Sequence, residues 1–547
     1  MTKRKTNDVR TDMPPFESPP PYNLWVEPWI TLECHTGEME KHGIESALLN
    51  ARHFKAIFDP SPLVVVGIHR LLTAILQDAL DPRNEDELRE VWLLGAFPPD
   101  LISRFGDDYA DRFDLFSQDK PFMQSADLSL APSKGDNVKS VASLFAEVPS
   151  GTEVIHYVHS IDTDQVFSPA AAAAGLVAIP AFASSGGAGI KPSINGVPPI
   201  YVLPGGRSCF ESLCASLLIP LFRPPMASRK QDNCWWKRND ALVQRSSEVT
   251  DVGYLHSLTF PARRIRLHPQ KVNTDCTRTG EFTEWGVRTM IFEMGESRPK
   301  DAPFWQDPFA AYSLPVEKKA ARKVKASKST KKNDKPKPIR PQRGKATWRE
   351  FSGLFLMQED AAKRTERPLV IQQMAELDMP GARRAFPFRC VGILTDGKAK
   401  NFEWIDFGFD VPPSLLSDLR SSIQVDKALV FANNCGSIIA SAFSRCFGGV
   451  SLKAEHHRTT KERMLANYWS ALGPQFRRFI LNQGDESQQD DAYPAWISVV
   501  VATANSVFSQ AAESIGDDAI NLRKRVEGEQ YCSYQLNKRR RKEAPNE

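Results

Sequence analysis

Residues Ala181–Gly206 read AFASSGGAGIKPSINGVPPIYVLPGG, six Gly and four Pro among 26 positions. No helix tolerates that density, since each interior Gly costs about 1 kcal/mol relative to Ala and each Pro about 3. The stretch follows Ser168–Ile179, an Ala-rich segment with Ser168 placed to cap a helix and Pro169 suited to its first turn. A glycine loop brings bare backbone close to something bulky, and exposed N–H groups in such turns bind anions. Phosphates and base edges therefore stand beside the simpler reading of a surface loop built from turn residues. Gly186, Gly187 and Gly189 are the positions for close backbone approach, with Lys191 and Asn195 as side-chain contacts. No GxxxxGK[ST] pattern is present, and GGAG is not GxGxxG, so a nucleotide cofactor finds little support and none is assigned.

A chain of 547 residues holds two to four domains. Its net charge of +4 conceals an uneven distribution. Glu317–Lys345 carries thirteen Lys or Arg against two acidic residues, a local +11, which leaves 4 − 11 = −7 for the rest. Such a run, with almost no apolar anchors, is expected to be a disordered insertion that adds salt-sensitive phosphate affinity. The nine cysteines include no CxxC pair, which argues for a reduced, cytoplasmic setting without a zinc ribbon. The leader over residues 1–21 is polar and Pro-rich, reads as disordered and lacks the apolar centre of a secretory signal. No uninterrupted apolar run of about 18 residues predicts a membrane span.

Along the chain, Tyr22–Ile30 reads as a short strand. A helix begins at Ser61-Pro62, and Asn84 with Glu87 forms a capping box for a second. Cys209–Leu221 reads as an apolar helix. In Ser257–His268, Ile265 and Leu267 alternate with Arg264, Arg266 and His268, which predicts a half-buried strand with a basic face. Arg389–Leu394 and Ala399–Trp404 flank Asp396-Gly397, the strongest short-range hairpin signal. Four helical segments follow, Pro413–Phe447, Thr459–Asn482, Tyr493–Ser514 and Asp517–Gln535, and suggest an up-and-down bundle. The fold class is α+β: a large mixed N-terminal lobe over 22–411, then a C-terminal four-helix bundle over 412–538. A mobile basic tail over 539–547 is expected to end it.

Four stretches occur together in one order: NLWVEPWI from Asn23, RFDLFSQDKPFMQ from Arg112, LFAEVPSGT from Leu144, and GIKPSINGVPP within the glycine loop. In this the chain resembles the CasA family, the large subunits of the type I-E Cascade, an RNA-guided surveillance complex of CRISPR immunity. The resemblance spans Tyr22 to about Lys538. It implies a non-catalytic subunit that recognises the protospacer-adjacent motif in double-stranded target DNA, starts strand separation and docks a helicase-nuclease. Its further partners would be the other Cascade subunits and the guide RNA, with no membrane. It implies that the glycine loop reads the minor groove, and that the hairpin tip, Thr395, Asp396, Gly397 and Lys398, is a wedge. The family's wedge often carries Gln, and none stands here. It also implies that a loop with His156, Tyr157 and His159 contacts guide RNA or neighbouring subunits. The cysteine cluster of some relatives is reduced to Cys276 alone, so no zinc site carries over, and a DNA-contacting lysine of some relatives finds no match within Gly286–Lys300.

Two readings from other classes stay open. His156, His159 and Asp162 have ligand chemistry for a metal-dependent hydrolase, but i, i+3 spacing beside Pro and Gly is not the i, i+4 helical pair of zinc proteases. No metal and no catalytic residue is assigned on that basis. The other reading is a scaffold whose basic run binds nucleic acid without sequence preference.

Overall fold

The computed structural model describes residues 18–130, 137–147, 165–184, 189–224, 232, 234–238, 247–315, 335–357, 365–379, 383–395, 401–447, 455–516 and 518–543. The N-terminal lobe opens with β1 (Ile30–Cys34), β2 (Met39–His42), α1 (Ile44–Leu49), β3 (Phe54–Phe58), α2 (Pro62–Leu80), α3 (Glu85–Leu94) and α4 (Pro99–Tyr109). It continues through β4 (Val138–Ser140), α5 (Pro169–Phe182), β5 (Tyr201–Pro204), α6 (Cys209–Cys214), α7 (Tyr254–Leu258), β6 (Arg263–Asp275) and β7 (Phe282–Met294). Then come β8 (Tyr312–Ser313), β9 (Lys337–Pro338), α8 (Phe351–Phe355), β10 (Thr365–Glu366), α9 (Leu369–Glu376), β11 (Phe386–Thr395) and β12 (Asn401–Val411). After the short α10 (Pro413–Ser417), α11 (Leu419–Arg445), α12 (Glu455–Gln483), α13 (Gln489–Glu513) and α14 (Ala519–Glu543) form the expected bundle.

Among the described residues the strands make four three-stranded sheets, ordered β2-β1-β3, β4-β7-β6, β10-β8-β9 and β12-β11-β5. At the heart of the lobe α2 packs against α5. Both are apolar on nearly every face, the mark of a helix enclosed by protein. By length and composition α2 would suit a membrane, but here it lies buried in the lobe. Two of its polar residues tie it to the segment after α6: Gln77 Oε1 accepts from Leu218 N–H at 2.8 Å, and His69 Nε2 meets Ser216 Oγ at 2.8 Å. The caps at Ser168 and Asn84 form as the sequence indicates, with Ser168 Oγ accepting from Ala171 N–H and Asn84 Oδ1 from Glu87 N–H.

Several expectations change. Tyr22–Trp29 is not a strand; Leu24 N–H bonds to Phe113 O and Leu115 N–H to Tyr22 O, and regular pairing begins at Ile30. Of Cys209–Leu221 only Cys209–Cys214 is α-helical; beyond it, Gln77 and Gln373 capture the backbone of Leu217, Leu218 and Ile219. The basic face of β6 is buried, with Arg264, Arg266 and His268 all under a tenth exposed. The segment around the KPFMQ block covers it. Ser125 N–H bonds to Ile265 O, Leu267 N–H to Gln124 Oε1, and Gln124 Nε2 to Leu115 O. That segment blunts an open sheet edge. Arg264 then pairs with Glu293 and Asp127 within the fold.

The basic sequences at both junctions are also ordered further than expected. Residues 335–345 belong to the lobe, with β9 pairing β8. Lys538–Lys542 continues α14 as helix, where cations at a C-terminus face the favourable end of the dipole. Buried Cys532 and Leu536, and a 2.9 Å bond from Tyr493 OH to Glu543, hold that end down. The lobe reaches into the bundle through Trp348, 2 % exposed, whose Nε1 donates to Trp469 O at 3.1 Å and whose ring packs on Trp469, Phe476 and Trp496.

Candidate nucleic-acid interface

The loop after α5 is described from Gly189 onward, and its conformation follows from a few backbone demands. Gly189 has φ +85°, with open space where a side chain would stand. Gly196, at φ +69°, closes a turn through its N–H to Ser193 O at 2.9 Å. Both positions lie in the left-handed region where glycine carries no penalty. Ser193 ties the turn to the end of α5, its N–H donating to Ala183 O and its hydroxyl to Pro180 O. Arg263, from the start of β6, donates to Lys191 O at 2.8 Å and also to Ser184 O. Burial pushes this guanidinium down to about 10.

Lys191 lies at the surface in an ion pair with Glu248 at 2.8 Å, both side chains about half exposed. Pairs of that kind contribute about 0–1 kcal/mol, so the lysine is cheaply released to another anion. Asn195 is placed differently from the sequence expectation: its amide points inward. Nδ2 donates to Asp307 Oδ2 at 2.9 Å, and Oδ1 accepts from Tyr312 OH at 3.0 Å. Asp307 Oδ1 accepts from Arg70 Nη1 at 3.0 Å and from Phe309 N–H at 3.0 Å. Arg70 and Asp307 are 1 % and 0 % exposed, and Arg70 also lies over the Tyr201 and Phe309 rings. Burial, with Asp307 close by, raises the Tyr201 and Tyr312 phenols well above their ordinary range, so both stay neutral. A fixed polar network thus roots the far half of the loop in α2.

The loop leads into β5, and β5 pairs with β11 in the register Tyr201↔Val391 to Pro204↔Phe388. Since the strands run antiparallel, Gly392–Thr395 extends past Tyr201, toward the loop. The β11–β12 hairpin has its last pair at Thr395↔Asn401, after a register shift at Leu394/Thr395. The described part of the loop, just before Tyr201, and the last hairpin pair, Thr395↔Asn401, therefore lie at the same end of one sheet. On the outward face of β12, Trp404 is 48 % exposed opposite Ile393, while Asp406 is bidentate with Arg389 at 2.8 and 2.7 Å. On the inward face Ile405 and Phe407 line a cleft of about 520 Å³ with Ile200, Arg340, Leu394 and α12 residues Trp469 and Arg477.

Gly186, Gly187, the tip residues Asp396, Gly397 and Lys398, and the set His156, Tyr157, His159 and Asp162 lie outside the described residues. Among the described residues no group of three His, Cys, Asp or Glu is arranged to hold a metal. Sequence reading missed Arg70, Asp307, Tyr312 and Arg340, since partners 112 to 237 positions apart leave no local signal. Trp404 had one: it falls on the alternate face from Ile405, Phe407 and Phe409.

Comparison with known proteins decides the family. The model for CRISPR-associated protein Cse1 matches residues 23–506. The chain belongs to the Cse1 family. A CasA/Cse1 protein of Thermus thermophilus is 26 % identical to it over 531 residues, covering 93 % of this chain and 96 % of that one. Cse1 of Acidimicrobium ferrooxidans shares the fold with a TM-score of 0.73 at 20 % identity, over 96 % of this chain and 99 % of its own. A chain of a CRISPR RNA-guided surveillance complex does so at 0.70 and 17 % identity, over 94 % and 100 %. This Cse1 chain differs from these relatives in most residues, yet the matches span nearly the whole of each.

Proposed function

We propose that this Cse1-family chain is the large subunit of a type I-E Cascade, an RNA-guided complex, and that it recognises the protospacer-adjacent motif in duplex DNA. The observation that supports the reading is the shared sheet end, where the described part of the glycine loop leads into β5 beside the last pairs of the β11–β12 hairpin. The loop lies along the minor groove, where the code is degenerate and a short tag suffices because guide pairing reads the rest. Gly186, Gly187 and Gly189 give the backbone its approach, and Lys191 exchanges Glu248 for a phosphate. Asn195 acts from beneath, by fixing the turn. The hairpin tip, Thr395 to Lys398, enters beside the tag and parts the first pairs, with Trp404 offering an exposed ring on which an unpaired base stacks.

The loop with His156, Tyr157 and His159 meets guide RNA or neighbouring subunits, and the assembled complex docks a helicase-nuclease. The test is binding of the assembled complex to duplexes with randomised flanks beside a fixed target. A preferred short flank on duplex, with none on single-stranded target, is expected. Equal affinity for every flank would leave a scaffold that binds by charge alone.

A further inference from the structure

Arg340 belongs to the basic run by sequence, and a cation there is expected to meet phosphate. Its surroundings give it other work. The chain before it is threaded beside β5, with Ile339 N–H bonded to Ala311 O and Ile200 N–H to Ile339 O. From that position the guanidinium spans the loop's turn: Nε donates to Val197 O at 3.0 Å and Nη2 to Asn195 O at 3.3 Å. It sits over Gly196, where a built Cβ would lie 3.7 Å from Nη2. Burial lowers its affinity for the proton, as expected of a group withdrawn from solvent. The first residue of the turn is also held from below, since the Asn195 amide is fixed by Asp307 and Tyr312. The turn is therefore gripped on two sides, and Arg340 is the outer grip. A planar fork reaching two carbonyls at once is a task lysine cannot reproduce.

We propose that Arg340 is a positioning residue that sets the conformation of the 189–197 loop, and through it the preference for tagged over untagged duplex. The proposal rests on the reading of that loop as the DNA reader. It separates Arg340 from the lysines and arginine over 318–332, which the reading treats as phosphate contacts.

The experiment compares Arg340→Lys and Arg340→Gln with the unaltered protein in two settings. In the free full-length chain, amide exchange is followed across residues 189–197. In the assembled complex, affinity for tagged and untagged duplex is measured over a range of salt. Arg340→Lys keeps the charge and loses the fork. The expected result is faster exchange in the loop for both variants, a fall of about tenfold in the tagged-to-untagged ratio, and an unchanged salt slope. If Arg340→Lys behaves as the unaltered protein while Arg340→Gln weakens both duplexes and flattens the salt slope, Arg340 is a phosphate contact and the proposal is wrong. Faster exchange with an intact ratio would overturn the loop as reader, and with it the specificity role. Unchanged exchange with a lost ratio would overturn the positioning role and leave the reader standing.

Discussion

Replacing Asp307 by Asn tests how far the loop depends on the polar network beneath it. The carboxylate has three partners: Arg70 and Phe309 N–H on Oδ1, and the Asn195 amide on Oδ2. The asparagine oxygen can still take the first two. Its NH₂ then faces the Asn195 NH₂ across the present 2.9 Å, donor against donor. Arg70, 1 % exposed, also keeps its charge without a counterion. Breaking a buried pair from one side costs about 3–5 kcal/mol. At about 2 °C per kcal/mol for a unit this large, the lobe's melting temperature should fall by about 6–10 °C. Calorimetry supplies the stability, and tagged against untagged binding the function. The companion Arg70→Met with Asp307→Leu removes both charges and should recover most of the stability, since packed apolar residues often equal a buried pair. It should not recover tag preference, because Asn195 still lacks its acceptor. A loss below about 1 kcal/mol for D307N, or a companion that restores both readouts, would refute the reasoning.

Gly189→Leu forces a side chain onto φ +85° without meeting a clash in the free protein, so loss of tagged-duplex recognition is expected while pairing to single-stranded target persists; folding is checked alongside by calorimetry. Lys398→Ala or a shortened tip should slow opening of closed duplex and largely spare DNA with a pre-opened bubble, and equal losses on both would make the hairpin merely structural. Deleting 317–334 should weaken tagged and untagged duplex about equally and flatten the salt dependence, measured by titration at several salt concentrations. Extending the deletion through 345 removes Arg340 and β9 as well, and tag preference should then fall too.

Local signals were legible and long-range ones were not. Asp396-Gly397 announced the hairpin, Ser168 and Asn84 their helices, and periodicity the four bundle segments, each because the cause lies within a few residues. Alternation in β6 separated Arg264 and Arg266 from Ile265 and Leu267 correctly. It could not say that Asp127 and the Gln118 carbonyl would meet the charged side, since periodicity sorts faces without naming what packs on them. The glycine loop was recognisable as a loop, but the inward turn of Asn195 depends on Asp307 and Tyr312, more than a hundred residues away. Residues 335–345 misled through composition. Lysines and prolines argued for disorder, while the β9 pairing, the backbone bonds of Ile339 and contacts from Lys335, Arg340 and Lys345 fasten the segment.

Trp348 bears on how the polypeptide can be divided. Its indole fills space among Trp469, Phe476 and Trp496, yet it comes from well before residue 412. A cut at 412 severs the chain between lobes without severing their cores. A C-terminal fragment would carry an indole-shaped hollow open to water, and an N-terminal one a bare tryptophan on a short stalk. Separately expressed halves should therefore be sticky and poorly soluble, and should complement each other when mixed.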